Sequence, residues 1–334
     1  MGEIKTIGVL TSGGDAPGMN AAIRSVVRTA RFKNITVKGI LRGFSGLMNN
    51  NMIDLTLRSV SGKLQRGGTI LYSARCPEFK EDEGVEMAKQ NCIDAGLDGL
   101  IVCGGDGSFR GARDLSLKGI PCIGIPGTID NDIPSTEITI GFDTAVNTVV
   151  ENVDKIRDTS ESHNRCSVVE VMGRNCGDIA LHAAISCGAE CVLLPEVEYD
   201  MERDVIENIH NTLNIGKHHF IIIVAEGVVN SHMGKQTFKS CEGMAEYIQA
   251  RTGIETRSSV IGHVQRGGSP TMRDRVLASM MGNYAVELLV QGKGNRVVGM
   301  QQSKMVDYDI YEALKMKKNL DRDLLRIFNE ISKI

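Results

Sequence analysis

Apolar runs with the character of β-strands alternate with amphipathic helical stretches along almost the whole chain. The strands predicted from these runs are Ile4–Leu10, Ile35–Ile40, Gly99–Cys103, Cys122–Ile125, Ser167–Val171, Cys191–Leu194, Phe220–Ala225, Ser259–His263 and Val297–Met300. The helical patterns include Met19–Arg31, Glu83–Ala95, Thr144–Asp158, Val205–Leu213 and Arg273–Leu289. This alternation is typical of doubly wound βαβ units with mostly parallel sheets. Ligands of such α/β folds bind beyond the carboxyl ends of the strands, so the segments after the strands are the candidate sites.

Length and composition limit what these units can do. At 334 residues the chain is long for one open sheet, which favours two α/β domains. The net charge of −3 gives no basic field for nucleic acid, so any anion must be held by local groups of arginine. Nine scattered cysteines without a CxxC pair predict reduced thiols, since several lie in apolar runs. The absence of a signal peptide and of an apolar run of ~20 residues predicts a cytoplasmic protein with no membrane partner.

The run from Cys103 to Ser108 is the strongest indication of a ligand. It places three glycines between an apolar strand and Phe109–Leu115, which can begin a helix. Glycine lets the backbone approach a ligand closely, and the free N–H groups of a helix start attract phosphate. Asp106 lies where a phosphate-bound Mg²⁺ would need a carboxylate. This segment therefore predicts a nucleotide site.

The loop Thr11–Gly18, after the first strand, is either an ordinary turn or a second phosphate loop, because it combines adjacent glycines with an aspartate. The chain contains no GxxxxGK[ST] sequence, so this is not a Walker A loop. The glycines that begin at Gly105 have the spacing GxGxxxG, one residue away from the dinucleotide fingerprint. A Rossmann-type oxidoreductase is therefore disfavoured.

Pro126–Asp132 carries two carboxylates, Asp130 and Asp132, directly after a buried strand. Asp, Asn, Pro and Gly are common in turns, so a plain turn is one interpretation. The other is a carboxylate that takes a proton from a substrate hydroxyl, with the second carboxylate holding a metal or tuning the first. The position behind a strand favours the functional interpretation.

Five arginines lie in glycine-rich or loop-like segments: Arg75, Arg165, Arg174, Arg257 and Arg266. A single arginine is usually a solvated surface charge. Arg174 and Arg266 differ, since each follows an apolar strand closely, where a guanidinium suits a phosphate monoester. A lone histidine is more often a satisfied core residue than a ligand, but His263 lies three residues before Arg266.

Six motifs follow one another along nearly the whole chain: Leu10–Asp15, Arg66–Thr69, Gly104–Ser108, Pro126–Asp132, Val171–Arg174 and Gly262–Pro270. Together they resemble the motifs of the bacterial ATP-dependent 6-phosphofructokinase family. The glycine–aspartate motif alone is shared with other kinases, such as NAD kinases. An NAD kinase, however, would not need the last two motifs.

The resemblance implies an enzyme that phosphorylates fructose 6-phosphate with ATP, built from two doubly wound βαβ domains of the phosphofructokinase type. It implies that residues 1–140 and 264–314 form the ATP-binding domain. Residues 141–263 and 315–334 would form the fructose 6-phosphate-binding domain.

The resemblance also implies roles for individual residues. The ATP site would comprise Gly14, Arg75, Cys76, Gly105, Asp106, Gly107 and Ser108, with Mg²⁺ on Asp106. The catalytic group would comprise Asp130 as the proton acceptor from the sugar 1-hydroxyl, with Thr128, Arg75 and Arg174. The sugar-phosphate site would comprise Thr128, Ile129, Asp130, Asp132, Arg165, Met172, Gly173, Arg174, Glu226, Arg257, His263 and Arg266. Arg165 and Arg257 resemble arginines that reach into a neighbouring subunit, which implies a homotetramer.

A second, allosteric site for ADP or phosphoenolpyruvate is common in this family, and the matching residues are Arg24, Arg28, Arg157, Glu190 and Lys217. Three positions depart from the family pattern. Leu57 stands where an arginine is usual, and Gly62 stands where a metal-binding aspartate is expected. The basic pair expected after Gly216 is Lys217-His218, and one residue is inserted before Glu226. We therefore expect weak or altered activation by ADP, unless Arg58 replaces the missing arginine after a small loop shift.

The phosphoryl donor is predicted from two glycines. In pyrophosphate-using relatives an aspartate is typical at the position of Gly107 and a lysine at that of Gly127. An aspartate at 107 would repel the α-phosphate of ATP, so glycine at both positions predicts ATP. The alternatives are a pyrophosphate-dependent enzyme and a non-catalytic regulatory subunit. The regulatory subunit is disfavoured because Asp106 and Asp130 are both present.

Overall fold

The chain divides into two compact units. The computed structural model describes residues 4–229, 234 and 237–332. Unit 1 contains Met1–Thr144 and Arg266–Lys318, and unit 2 contains Ala145–Gln265 and Asn319–Ile334. The assignment of ATP to one unit and of the sugar phosphate to the other remains a prediction.

Eleven strands and eleven α-helices are formed by the described residues. The strands are β1 (Thr6–Thr11), β2 (Thr36–Ile40), β3 (Met52–Leu55), β4 (Gly99–Gly104), β5 (Cys122–Pro126), β6 (Cys166–Val171), β7 (Cys191–Leu193), β8 (Phe220–Ala225), β9 (Thr256–Val260), β10 (Arg296–Gln301) and β11 (Lys304–Asp309). The helices are α1 (Met19–Phe32), α2 (Gly43–Met48), α3 (Asp82–Asp94), α4 (Asp106–Leu117), α5 (Phe142–His163), α6 (Asp178–Cys187), α7 (Glu207–Asn214), α8 (Cys241–Thr252), α9 (Met272–Val290), α10 (Ile310–Ala313) and α11 (Arg322–Ser332). The predicted alternation of strands and helices, and with it the α/β fold class, is confirmed.

Unit 1 is built on a seven-stranded sheet with the order β11-β10-β5-β4-β1-β2-β3. Its central strands are parallel, and an antiparallel strand closes each edge: β3 beside β2 and β11 beside β10. After β1 the chain first adds β2 and β3 on one side and then β4 and β5 on the other. The strand order thus reverses between β1 and β4, and a ligand crevice is expected at their carboxyl ends.

Unit 2 contains an entirely parallel four-stranded sheet with the order β7-β8-β6-β9. Strand β8 is buried along all six residues, as expected for a strand covered on both faces. A π-helical turn, Met201–Ile206, leads into α7. Strands β8 and β9 lie on either side of β6. The strand order of this sheet therefore reverses at β6, and the segment after β6 lies at that point.

Two predicted boundaries are wrong. The strand predicted at Ser259–His263 is observed at Thr256–Val260, because Gly262 turns the chain with a φ of 57° into a 3₁₀ turn over Gly262–Arg266. The helix after the glycine run begins at Asp106, not at Phe109, because Gly105 is the last extended residue and an aspartate in the first turn complements the helix dipole.

The cysteines are reduced thiols in the interior. All nine are free, and eight of them are buried. Burial raises the pKa of Cys103 and of Cys122 to about 12, so these thiols stay protonated and unreactive. Among the described residues, no helix is long and apolar enough to cross a membrane.

Candidate active site

Two glycine loops meet at the carboxyl ends of β1 and β4. The Ser12 N–H donates to the Cys103 carbonyl at 3.0 Å. A Cβ on Gly104 would lie 2.4 Å from the Ser12 carbonyl oxygen and 2.4 Å from Ser108 Oγ, so no side chain fits there. The β1 loop that contains Gly14 and the β4 loop are therefore in direct contact, as the predicted nucleotide site requires.

The start of α4 offers an open anion site. Gly105 is extended at the helix N-cap, and Asp106, Gly107 and Ser108 form the first turn. A Cβ built on Gly107 would meet no atom within 4 Å, so a ligand can approach the backbone there. The free N–H groups of this turn suit a phosphate.

Asp106 is the carboxylate of this turn. It is about half exposed and pairs with Arg110 one turn along α4, with Oδ2 2.9 Å from Arg110 Nε. No group of three or more His, Cys, Asp or Glu side chains in the described ranges could hold a metal by itself. Mg²⁺, however, usually takes one or two carboxylates, several waters and the phosphates of its substrate. An accessible carboxylate at a helix start with free backbone N–H groups fits such an ion.

The segment that carries Arg75 and Cys76 is fastened to the β1 loop. Ser73 Oγ donates to the Gly13 carbonyl at 2.6 Å, and Thr11 Oγ1 donates to the Tyr72 carbonyl at 2.9 Å. Arg75 is exposed, and Cys76 is half-buried against Met48. This segment therefore lies beside the glycine loops at the carboxyl ends of the unit 1 strands.

The aspartate loop after β5 is buried at the same edge. Asp130 is 1% exposed and Ile129 is fully buried, whereas Asp132 is half-buried. The Asp130 N–H donates to Thr128 Oγ1 at 3.2 Å, and a Cβ on Gly105 would lie 3.8 Å from Thr128 Cβ. The candidate base therefore lies next to the start of α4.

Arg266 contributes a guanidinium to this cluster. Its Nη2 lies 3.8 Å from Asp130 Oδ1, and its Nη1 donates to the Asp15 carbonyl at 3.3 Å. A Cβ on Gly14 would approach Nη1 to 2.7 Å, so glycine at 14 leaves room for the arginine. Unit 1 thus gathers a buried carboxylate, a cation and two glycine loops.

In unit 2 the loop after β6 is held by two acceptors from other elements. Glu226 Oε1 accepts from the N–H groups of Gly173, at 3.1 Å, and Arg174, at 2.6 Å. The fully buried Gln265 accepts from the Met172 N–H at 3.2 Å. Arg174 adopts a φ of 53°, a left-handed conformation that is costly for a residue with a side chain. These bonds fix the backbone under the exposed Arg174 guanidinium.

Sequence reasoning missed Gln265 as a functional residue. Its Nε2 also donates to the Gly262 carbonyl at 3.1 Å, so one amide joins the β6 loop to the turn after β9. The residue stands inside the Gly262–Pro270 motif, directly before Arg266, and this position was the available signal. His263, predicted at the end of a strand, is exposed in the 3₁₀ turn instead.

Arg165 and Arg257 lie together although 91 residues of sequence separate them. The parallel pairing of β6 with β9 sets Ser167 opposite Arg257. Both arginines bind Glu255, with Arg165 Nε 2.9 Å and Arg257 Nη2 2.5 Å from its two carboxylate oxygens. The two guanidinium groups hold the pKa of Glu255 below its usual value. The sequence did not indicate this shared carboxylate.

Three of the predicted effector residues surround the end of α6. Arg157 donates to the carbonyls of Cys187 and Gly188, and Lys217 forms an ion pair with the buried Glu190. Gly188, Glu190 and Lys217 line a cavity of about 160 Å³. Arg24 and Arg28 lie one turn apart on α1 of unit 1.

Comparison with known proteins places the chain in a family. Residues 6–289 match the family model described as Phosphofructokinase. A Bacillus thuringiensis (strain Al Hakam) protein named ATP-dependent 6-phosphofructokinase is 54% identical over 333 residues, which cover 98% of this chain and 100% of that protein. A phosphofructokinase from Saccharomyces cerevisiae has a TM-score of 0.87 at 32% identity, over 98% of this chain and 48% of that one. A pyrophosphate-dependent phosphofructokinase from Marinobacter aquaeolei has a TM-score of 0.84 over 97% of this chain and 91% of that one, but at 20% identity it shows the fold alone. The chain belongs to the phosphofructokinase family.

Proposed function

We propose that this enzyme transfers the γ-phosphoryl group of ATP to the 1-hydroxyl of fructose 6-phosphate, giving fructose 1,6-bisphosphate and ADP. The full-length relatives named ATP-dependent 6-phosphofructokinase support this reaction. The observation that carries the proposal is Asp130, a buried carboxylate beside Arg266 at the sheet edge that also holds both glycine loops. A kinase needs a proton acceptor and a phosphate site together, and the proximity of Asp130 to the glycine loops of unit 1 supports this pairing.

In the proposed mechanism Asp130 accepts the proton of the attacking 1-hydroxyl. The sugar oxygen forms a bond to the γ-phosphorus, and the bond from that phosphorus to the β–γ bridging oxygen breaks, so ADP leaves. Asp106 would hold Mg²⁺, which supplies charge neutralisation on the phosphates. Arg75 and Arg174 would offset the remaining charge on the transferred group, because phosphoryl transfer depends mainly on positioning and electrostatic stabilisation.

The nucleotide would bind along Gly14, Arg75, Cys76 and the segment Gly105–Ser108. The open space around Gly107 supports this placement, since a phosphate can reach the backbone N–H groups of the first turn of α4. The bond between Ser73 and Gly13 supports it too, because it carries the Arg75 segment to the same loops.

The sugar phosphate would bind Met172, Gly173, Arg174, Glu226, His263 and Arg266, with Thr128, Ile129 and Asp132 beside the reacting hydroxyl. Arg165 and Arg257 would reach the sugar phosphate of a neighbouring subunit in a homotetramer. Their shared ion pair with Glu255 keeps two cations at one exposed point of unit 2, as a bridging role needs. A cytoplasmic location remains a prediction.

ATP is the proposed donor, and the two glycines that suggested it contribute unequally. An aspartate at 107 would project into open space, where it would repel a nucleotide phosphate. A Cβ at 127 would lie 2.7 Å from Cys103 Sγ and 3.2 Å from Met19 Cε, so a side chain at 127 requires these two side chains to shift. Gly127 thus has a packing reason in this chain as well as a donor reason, and Gly107 gives the stronger support for ATP over pyrophosphate.

Regulation would use the cluster of Arg157, Glu190 and Lys217, with Arg24 and Arg28, for an ADP or phosphoenolpyruvate effector. Gly62 adopts a φ of 64° and a Cβ on it would meet nothing within 4 Å, so no side chain replaces the missing metal carboxylate at that position. Leu57 is 47% exposed, and Arg58 beside it is exposed as well. We expect activation by ADP to be weak; a strong shift of the fructose 6-phosphate saturation curve by ADP would contradict this.

The Asp130→Ser variant tests the reaction and the base together. A positioned general base contributes roughly 10²–10⁴-fold, so kcat should fall by about that factor while the KM values change little. Initial rates should be measured with fructose 6-phosphate and either ATP or pyrophosphate, and calorimetric ADP binding should confirm an intact nucleotide site. Near-full kcat in the variant would remove Asp130 from the mechanism, and turnover of the parent enzyme with pyrophosphate alone would overturn ATP as donor.

A further inference from the structure

The aspartate loop is closed at its base by backbone pairing. The Ile140 N–H donates to the Pro126 carbonyl at 2.9 Å, and Gly127 and Ile140 form an isolated parallel bridge. Between these two points, residues 128–139 form a loop that contains Asp130. Backbone pairing at the base alone does not determine where the tip of such a loop lies.

Asn131 links the tip of the loop to its returning arm. It is 3% exposed and adopts a φ of 53°, which asparagine tolerates better than most residues. Its Oδ1 accepts from the Thr139 N–H at 3.0 Å, and its Nδ2 donates to the Glu137 carbonyl at 3.2 Å. Asn131, which directly follows Asp130, is thus bonded to two residues of the returning arm, Glu137 and Thr139.

Thr139 connects the returning arm to Thr128, on the other side of Asp130. It is fully buried, and its Oγ1 donates to the Thr128 carbonyl at 2.6 Å, with Asn131 Oδ1 at 3.3 Å. Thr128 Oγ1 in turn accepts from the Asp130 N–H. A continuous path of hydrogen bonds therefore runs from Thr139 through Thr128 to the backbone of Asp130, and a second path runs from Thr139 to Asn131.

We infer that Asn131 and Thr139 are positioning residues that fix the Asp130 carboxylate for proton transfer. The inference rests on the proposed role of Asp130 as the base. Both side chains are buried. Asn131 directly follows Asp130 and bonds to Glu137 and Thr139, and Thr139 bonds to Thr128, whose hydroxyl accepts from the Asp130 N–H, so both side chains act on Asp130 through the backbone. A misplacement of about 1 Å at a reacting group can cost on the order of 10²-fold in rate, and such an error falls on kcat rather than on substrate affinity.

Two substitutions at Thr139 separate positioning from packing. Thr139→Val keeps the shape of the side chain but removes the hydroxyl, whereas Thr139→Ser keeps the hydroxyl and removes a methyl group. Positioning predicts that Thr139→Val lowers kcat by ~10–100-fold with both KM values within about threefold, and that Thr139→Ser retains most of kcat. A packing role predicts the opposite order, with valine near the parent enzyme and serine impaired.

Asn131→Gly provides an independent variant if Thr139→Val fails to fold. Glycine accepts the left-handed backbone, so the variant removes the side-chain bonds to Glu137 and Thr139 without backbone strain, and the same fall in kcat is expected. Asn164→Gly is the matched control, since Asn164 also has a positive φ, 52°, but follows α5 outside the aspartate loop. Its kcat should equal that of the parent enzyme.

The outcomes are separable from those of the base assignment. If Asp130→Ser loses kcat while Thr139→Val and Asn131→Gly keep it, the positioning role is overturned and the base stands. If the two loop variants raise both KM values as much as they lower kcat, the loop holds substrate and the inference fails as well. If Asp130→Ser keeps kcat, the base assignment fails and the positioning role fails with it.

Discussion

The Glu226→Ala variant tests how the loop after β6, the proposed sugar-phosphate loop, is held in place. In the Glu226→Ala variant the N–H groups of Gly173 and Arg174 lose their shared acceptor. A hydrogen bond to a charged group contributes about 1.5–3 kcal/mol net. Because Glu226 is half-buried rather than buried, we use the lower value, so that the two bonds together hold the loop by about 3 kcal/mol.

That free energy sets the size of the expected defect. The left-handed backbone conformation of Arg174 is costly for a residue with a side chain. Once the two bonds to Glu226 are lost, we therefore expect the loop to adopt other conformations. Each 1.4 kcal/mol corresponds to a tenfold change in population, so about 3 kcal/mol limits the loss in kcat/KM for fructose 6-phosphate to roughly 100-fold. The KM for ATP should change by less than about threefold, because the loop belongs to unit 2 and the nucleotide loops to unit 1.

Two further variants make the assay decisive. Glu226→Gln keeps an acceptor oxygen at the same place and should recover most of the lost kcat/KM, measured from initial rates over a range of fructose 6-phosphate at saturating ATP. Glu196→Ala is the control, because Glu196 Oε1 accepts from the Gly177 N–H at 2.8 Å beyond Arg174 on the same segment. Unchanged kcat/KM in Glu226→Ala, or an equal loss in Glu196→Ala, would refute the reasoning.

Three other perturbations test the nucleotide site and the fold. Cys76 is the one cysteine among the described residues that is not buried, so iodoacetamide at pH 8 should alkylate it first. Mass spectrometry should show that ADP protects Cys76 from this alkylation. Equal labelling with and without ADP would count against its place in the nucleotide site. Burial would raise the pKa of Asp307, but hydrogen bonds from Tyr284 and Arg296 outweigh it and hold the pKa below that of an ordinary aspartate, so this carboxylate adds stability that is lost as the pH falls through the lowered pKa. Asp307→Asn should therefore unfold in urea with a free energy about 1–3 kcal/mol lower at pH 7, with a smaller gap at pH 3, and a constant gap would contradict the argument. Gly107→Asp should raise the KM for ATP by at least tenfold at unchanged thermal stability, since the side chain enters open space; an unaltered KM would show that no phosphate lies there.

The central strands could be predicted from the sequence because burial on both faces gives continuous apolar runs. Strand β8 was predicted to the residue, and β4 and β5 to within one residue, since all their positions are buried. Strands β3 and β11 were missed because edge strands are only partly buried and carry polar residues. Strand β9, also an edge, was placed three residues late for the same reason.

The motif loops could be predicted, but the groups that hold them could not. Glycines and aspartates after apolar runs identified the loops at β1, β4 and β5, because few residue types serve such turns. Gln265 and Glu255 hold residues far along the chain, Met172 and Arg165, which only folding brings near. Asn131 lies inside a motif, but its bonds to Glu137 and Thr139 depend on the conformation that the loop adopts in the folded chain. The pairing of Arg165 with Arg257 depends in the same way on the register of β6 with β9.

Gly107 and Gly127 show why a residue type alone does not identify its role. Both glycines lie just beyond the carboxyl ends of neighbouring strands, Gly107 in the first turn of α4 and Gly127 after β5. A Cβ at 107 nevertheless meets nothing within 4 Å, whereas a Cβ at 127 meets Cys103 Sγ at 2.7 Å. A lysine at 127 therefore cannot be introduced without displacing Cys103, which is buried in β4. An attempt to convert the donor preference must combine Gly127→Lys with a smaller residue at 103, and Gly127→Lys alone should impair folding before it reports on the donor. Gly107→Asp displaces no neighbouring side chain, so its kinetics test the choice of phosphoryl donor directly.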